Sequence, residues 1–184
     1  MPFSNGLRPE QQFRTVPVIQ GEFRTSNDQN VMFSTVLGSC VSVAISDLTT
    51  QIGGMNHYLL PEKPGDARNE MKYGAMAIEL LINALLKKGA VRHRMQAQLF
   101  GGGNIVSALG NIGARNAKFA SDFMKREEIS VIGTSLGGNS ARRVQFHPVS
   151  GVAKVHVLPS NEAASLRYSE RPSTVSSTPD VTLF

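Results

Sequence analysis

The stretch Val31-Met32-Phe33-Ser34-Thr35-Val36-Leu37-Gly38-Ser39-Cys40-Val41-Ser42-Val43-Ala44-Ile45 decides how this chain folds. Two runs rich in β-branched residues, Val31 to Leu37 and Val41 to Ile45, are split by Gly38-Ser39. Runs of this kind bounded by a glycine turn predict two strands, or one strand with a sharp break. After a turn at Asp47 to Gln51, Ile52 to Leu60 alternates: Met55, His57 and Leu59 share one face, and Asn56, Tyr58 and Leu60 the other. Pro61 to Asn69 reads as a polar loop. The period then changes. Tyr73, Met76, Ala77, Leu80, Leu81, Ala84 and Leu85 recur at helical spacing and predict an amphipathic helix with that stripe inward, ended by Lys87, Lys88 and Gly89.

Met95 to Phe100 predicts a further strand. Asn111 to Glu127 predicts a second helix, with Ile112, Phe119, Ala120 and Phe123 on one side. Ile129 to Thr134 is strand-like, and Val144 to Phe146 and Val152 to Leu158 flank a hairpin loop at His147 to Gly151. The expected fold is an α/β layered sandwich of mixed β-sheet, with two main helices covering one sheet face or both.

A chain of 184 residues is sized for one domain and can bury roughly two-thirds of its unfolded surface. Residues 1–15 are expected to be a mobile arm, residues 16–159 the folded domain, and residues 160–184 a disordered tail. That tail is rich in Ser, Thr, Pro and charge, and has too little apolar surface to offset its ordering entropy. Val16 to Ile19 is expected at a sheet edge. A single cysteine excludes an internal disulfide and a multi-thiolate zinc site, and fits a reducing compartment. The N-terminal segment lacks a secretory apolar core and no apolar run is long enough to span a bilayer, so a cytoplasmic location without membrane insertion is expected.

The net charge is +5, but Arg92, Arg94, Arg115, Lys118, Arg142 and Arg143 are scattered. There is no dense basic block, no aromatic platform and no tryptophan, which argues against nucleic acid as a partner. Attraction to an acidic protein surface is compatible with the charge. Arg142 and Arg143 read as a solvated face.

Cys40 and His57 are the residues that suggest chemistry. A free cysteine is commonly inert core filling. Here Gly38 permits a turn, Ser39 and Val41 frame the thiol at a break, and the hydroxyls of Ser34 and Thr35 are near in sequence. His57 is the natural base and its imidazolium could activate the thiol. His93 lies among arginines, while His147 and His156 belong to the late hairpin. Phe100-Gly101-Gly102-Gly103-Asn104 reads as a tight turn rather than a phosphate cradle, because Val106 stands where the dinucleotide fingerprint needs glycine.

Several motifs then come together in order. They are Leu37-Gly38-Ser39-Cys40-Val41, Gly53-Gly54-Met55-Asn56-His57-Tyr58-Leu59-Leu60-Pro61, Lys72-Tyr73-Gly74, Phe100-Gly101-Gly102, Ile112-Gly113-Ala114-Arg115-Asn116, and Leu136-Gly137-Gly138 through Arg142 to Phe146 with Gly151. Together they resemble the chemoreceptor glutamine deamidases of the CheD family, over roughly Val16 to Leu158. The resemblance implies a papain-like or toxin-like Cys-His architecture that hydrolyses receptor glutamine side chains to glutamate and ammonia without a cofactor. It implies Cys40 as nucleophile and His57 as general base, with backbone N–H groups near Ser39 and Cys40 as oxyanion donors. The family's third position is a threonine six residues before the cysteine, held here by Ser34 with Thr35 beside it. Register favours Ser34, and Thr35 stays open. Implied partners are receptor cytoplasmic helices and a phosphatase of the CheC type. A non-catalytic signalling module that binds those partners is the alternative.

Overall fold

The computed structural model describes residues 12–60, 67–105 and 111–159. The chain runs β1 (Arg14–Pro17), β2 (Phe23–Ser26), β3 (Val31–Leu37), β4 (Val41–Asp47), β5 (Ile52–Asn56), α1 (Ala67–Lys87), β6 (Gln96–Gly101), α2 (Ile112–Arg126), β7 (Ser130–Leu136), β8 (Arg142–His147) and β9 (Val152–Val157). The strands make a four-stranded sheet, ordered β1-β3-β8-β9, and a five-stranded sheet, ordered β2-β5-β4-β6-β7. Each sheet contains one parallel pair, β1 with β3 and β6 with β7. The remaining pairs are antiparallel, so both sheets are mixed. Parallel neighbours need a long crossover, and α2 supplies it between β6 and β7.

The break at Gly38-Ser39-Cys40 is a change of sheet. Leu37 ends a strand of the four-stranded sheet, and Val41 starts one in the five-stranded sheet. Alternation along β4 then sorts two cores. Val41, Val43 and Ile45 point to the helices and pack with Ile78, Leu81 and Ile82 of α1 and Phe123 of α2. Cys40 and Ala44 point the other way, toward Phe33 and Leu37 of β3 and Val144 and Phe146 of β8. The fold is therefore a three-layer α/β sandwich, with both helices on one face of the larger sheet and the smaller sheet on its other face.

Three expectations change. Phe23 to Ser26, which the sequence assigns to no element, pairs with Asn56 to Gly53 as an edge strand, and β1 begins at Arg14, inside the segment expected to be a mobile arm. The buried stripe of α1 is Gly74, Ile78, Leu81, Ile82 and Leu85, while Tyr73, Met76 and Leu80 are exposed. The helix also starts at Ala67, inside the expected loop. Arg142 is not part of a solvated face: it is buried, and its guanidinium donates to the carbonyls of Ser135, Gly137 and Ser140, which fixes the β7–β8 turn. Arg94 is likewise committed, with Nη2 2.9 Å from Oδ2 of the fully buried Asp47 carboxylate. Residues 1–11 of the expected arm and the expected tail lie outside the described residues.

Candidate active site

Cys40 sits on the switch turn, and the turn is held from behind. Gly103 N–H donates to Gly38 O at 2.8 Å, Gly102 N–H to Cys40 O at 2.8 Å, and Asn116 Nδ2 to Ser39 O at 2.9 Å. The amides of Gly102, Gly103 and Asn104 are thus spent on carbonyls rather than an anion, as a tight turn requires. Gly101 lies at φ 103°, and any Cβ there would strike the Cys40 carbonyl oxygen. Because peptide units are planar and trans, fixing the Gly38 and Ser39 carbonyls toward that support turns the N–H groups of Ser39 and Cys40 the opposite way.

His57 reaches the same face through one backbone bridge. Val41 and Tyr58 exchange two N–H···O bonds of 2.9 Å, which places both side chains on the helix side. Their predecessors, Cys40 and His57, therefore share the inter-sheet face as diagonal neighbours, a spacing of about 7–8 Å between Cα atoms that long side chains span. Asn116 locks the arrangement. It is fully buried on α2, holds Ser39 O with Nδ2, and accepts Leu60 N–H on Oδ1 at 2.9 Å, while its own carbonyl accepts the Tyr58 hydroxyl. Asn116→Ala leaves two buried backbone groups unpaired and is expected to cost about 2–4 kcal/mol. Urea denaturation measures this loss, and a change below about 1 kcal/mol would contradict the clamp.

The hydroxyl that meets His57 belongs to Thr35. Its Oγ1 lies 2.9 Å from His57 Nδ1 and donates to Val18 O at 2.8 Å. Ser34, the residue favoured by register, lies on the other face of β3. Phe33 and Leu37 face the inter-sheet core, so Thr35 between them does too, whereas Val36 packs with the outer cluster of Ala141 and Leu158. Ser34 contributes its carbonyl, which accepts Val18 N–H at 2.9 Å.

The hydrogen bonds also fix the imidazole tautomer. Thr35 has one hydroxyl proton and gives it to Val18 O, so its oxygen accepts from Nδ1–H. The Val18 carbonyl, 3.3 Å from Nδ1, can only accept as well. Nδ1 therefore carries the proton and Nε2 is left with a lone pair. Nε2 is buried with no hydrogen-bond partner among the described residues. Burial pushes the His57 imidazole below its ordinary value, and the Val18 carbonyl offsets part of that shift. The tautomer and the lowered pKa both favour a neutral imidazole, the form able to accept a thiol proton.

Two residues near the site carried no functional expectation, though Val18 lies in the segment expected at a sheet edge. Val18 anchors both Thr35 and His57 by its carbonyl. Gln20 places Oε1 3.5 Å from Cys40 Sγ. The strand signal of Val16 to Ile19 says nothing of a carbonyl's partners, and Gln20 lies in a turn with no periodic signal. Among the other histidines, His147 is structural: Nδ1 meets Ser150 Oγ at 2.7 Å and Nε2 meets Gln29 O at 3.0 Å.

A thiol, an open imidazole nitrogen and a hydroxyl share one inter-sheet face, the set of groups that cysteine acyl transfer through a thioester requires. The chain belongs to the CheD family. A family model described as CheD chemotactic sensory transduction matches residues 59–157, starting just after His57. A Caulobacter sp. (strain K31) protein named "Probable chemoreceptor glutamine deamidase CheD" is 51% identical over 138 residues, covering 74% of this chain and 73% of that protein. One from Ruegeria sp. (strain TM1040), named "Probable chemoreceptor glutamine deamidase CheD 1", is 48% identical over 140 residues, covering 76% and 75%. Among solved structures, a Neisseria meningitidis protein matches with a TM-score of 0.43 at 10% identity, over 70% of this chain and 64% of that one.

Proposed function

We propose that this protein hydrolyses glutamine side chains on chemotaxis receptors to glutamate and ammonia, with Cys40 as nucleophile, His57 as base and Thr35 as the orienting hydroxyl. The observation that carries the reading is the Thr35–His57 contact, which leaves Nε2 as a buried acceptor on the face it shares with Cys40. The names of the relatives supply the substrate class.

The steps balance without a cofactor. Nε2 takes the thiol proton as Sγ bonds to the carboxamide carbon, and the carbonyl electron pair moves to oxygen. The Ser39 and Cys40 amides, turned away from their carbonyl supports, are the donors suited to that oxyanion. Collapse breaks the C–N bond, and the Nε2 proton leaves with ammonia. Water then attacks the thioester, giving its proton to His57, and the returning thiol regains it. The net change is glutamine plus water to glutamate plus ammonia.

Thr35→Val keeps the shape and deletes the hydroxyl. It is expected to lower kcat about tenfold to a hundredfold, the worth of one buried hydrogen bond to a reacting group, because Val18 O still accepts Nδ1–H. Ser34→Ala is expected to leave kcat within about twofold, since its hydroxyl lies on the far face. Equal losses would remove Thr35 from its role.

A cytoplasmic location belongs to the same proposal, since receptor cytoplasmic helices are the proposed substrate. A CheC-type phosphatase is the second proposed partner. The uncovered Tyr73, Met76 and Leu80 of α1 favour some protein contact besides the substrate site. Incubation with receptor cytoplasmic fragments, followed by mass mapping of glutamine-to-glutamate conversion, tests the activity. Tight receptor binding with no mass change would leave the non-catalytic module instead.

A further inference from the structure

The thiol at the centre of the proposed site is 1% exposed, which is paradoxical for a nucleophile that must meet a protein side chain. One group in contact with it is the carboxamide of Gln20, an exposed residue whose Oε1 is 3.5 Å from Sγ. Its backbone is fixed. Glu22 N–H closes a tight turn onto Ile19 O at 3.0 Å, with Gly21 at φ 86°. Gly21 N–H donates to His57 O at 2.8 Å, and His57 N–H donates to Glu22 O at 3.0 Å. The turn is thus bolted to the strand segment that carries the base, and only the Gln20 side chain is free to swing. Exposed side chains do so in picoseconds to nanoseconds.

The contacting group is a carboxamide at the end of two methylenes, the same group as the proposed substrate. A reacting carbonyl must come within about 3–3.5 Å of the nucleophile, so a substrate amide and the Gln20 amide compete for one volume. The S–H also donates to the Gln20 oxygen, and a hydrogen bond made by the protonated form favours that form.

We infer that Gln20 is a resident substrate mimic, a gate whose carboxamide caps Cys40 at rest and is exchanged for the incoming glutamine side chain. The inference rests on the proposed amidase reading for its substrate but not for its test. Gln20→Ala removes the amide, and Gln20→Asn keeps it but shortens its reach by one methylene; both changes are at an exposed position. Alkylation of Cys40 by iodoacetamide at neutral pH is expected to run about fivefold faster in both variants than in wild type, the worth of one hydrogen bond released. Rates equal to or below wild type would overturn the gate. A peptide carrying Gln20 that gains the amide-to-acid mass in wild type, but not in Cys40→Ala, would also overturn it, because Gln20 would then be a substrate and not a cap. Conversion of receptor glutamines is scored separately. Faster alkylation with no conversion in any variant sinks the amidase reading and leaves the cap, and conversion with unchanged alkylation does the reverse.

Discussion

Cys40→Ala is expected to abolish ammonia release from receptor fragments, by at least about 10⁴-fold, as loss of a covalent nucleophile does elsewhere. The fold is expected to survive. The side chain packs with Phe33, Leu37 and Phe100 between the sheets, so deleting sulfur opens a methyl-sized void worth about 1 kcal/mol. The turn itself is held by the Gly38, Ser39 and Cys40 carbonyls, all backbone atoms that the substitution leaves in place. Cys40→Ser is the sharper variant. It keeps a protic oxygen in the same place and the contact with Gln20, yet a hydroxyl is a far weaker nucleophile than a thiol beside a neutral base. Substantial residual turnover in either variant, with a cooperative urea transition showing the fold intact, would remove Cys40 from the chemistry and leave the inter-sheet cysteine as core filling.

The sequence carried the outer form of this site and lost its inner choice. Strand alternation put His57 opposite Tyr58, and the Val41–Tyr58 bridge is the three-dimensional expression of that alternation. The same rule, applied to β3, would have separated Ser34 from Thr35, since Thr35 shares a face with Phe33 and Leu37. It was obscured because Met32 and Val36 make the opposite face apolar too, and only the second sheet decides which face is inside. Phase failed in α1 for a related reason. Leu80, Leu81, Ile82, Leu85 and Leu86 are apolar almost all round, so two stripes sharing Leu81 and Leu85 fit the helical period equally well. Packing chose the stripe that runs through Gly74, where a Cβ would meet Phe119 and Leu60.

Short polar elements were harder still. Phe23-Arg24-Thr25-Ser26 has no apolar face of its own and becomes a strand because β5 offers it a ladder. Gln20 acts through a side-chain amide on a turn and Val18 through a backbone carbonyl at the end of an edge strand, and neither role leaves a periodic trace. Arg142 carries no pattern either: a row of turn carbonyls recruits a guanidinium inward against the usual preference of arginine for solvent.

The pH dependence of the site follows from the open Nε2. Burial lowers the His57 pKa from 6.5, so the imidazole is neutral across the physiological range and still neutral somewhat below pH 6.5. The acid limb of kcat/KM is therefore expected below pH 6.5, not at it, because activity ends only when Nε2 takes a proton from solvent. Stability must follow the same group. Between pH 6.5 and the lowered native value, the unfolded chain binds a proton that the native chain refuses, so stability is intact above that window and falls as the pH drops through it. His57→Gln keeps a planar side chain that can donate to Thr35 and Val18 but cannot cycle a proton. It is expected to lower kcat about 10²- to 10⁴-fold, erase the acid limb from whatever rate remains, and flatten the fall in stability below pH 6.5. Urea titrations of both proteins from neutral to acid pH, run beside the rate profiles, separate the two effects. An acid limb at or above pH 6.5 in wild type would mean that the imidazole is not held below its ordinary value, and the reading of His57 as a buried neutral base would fail.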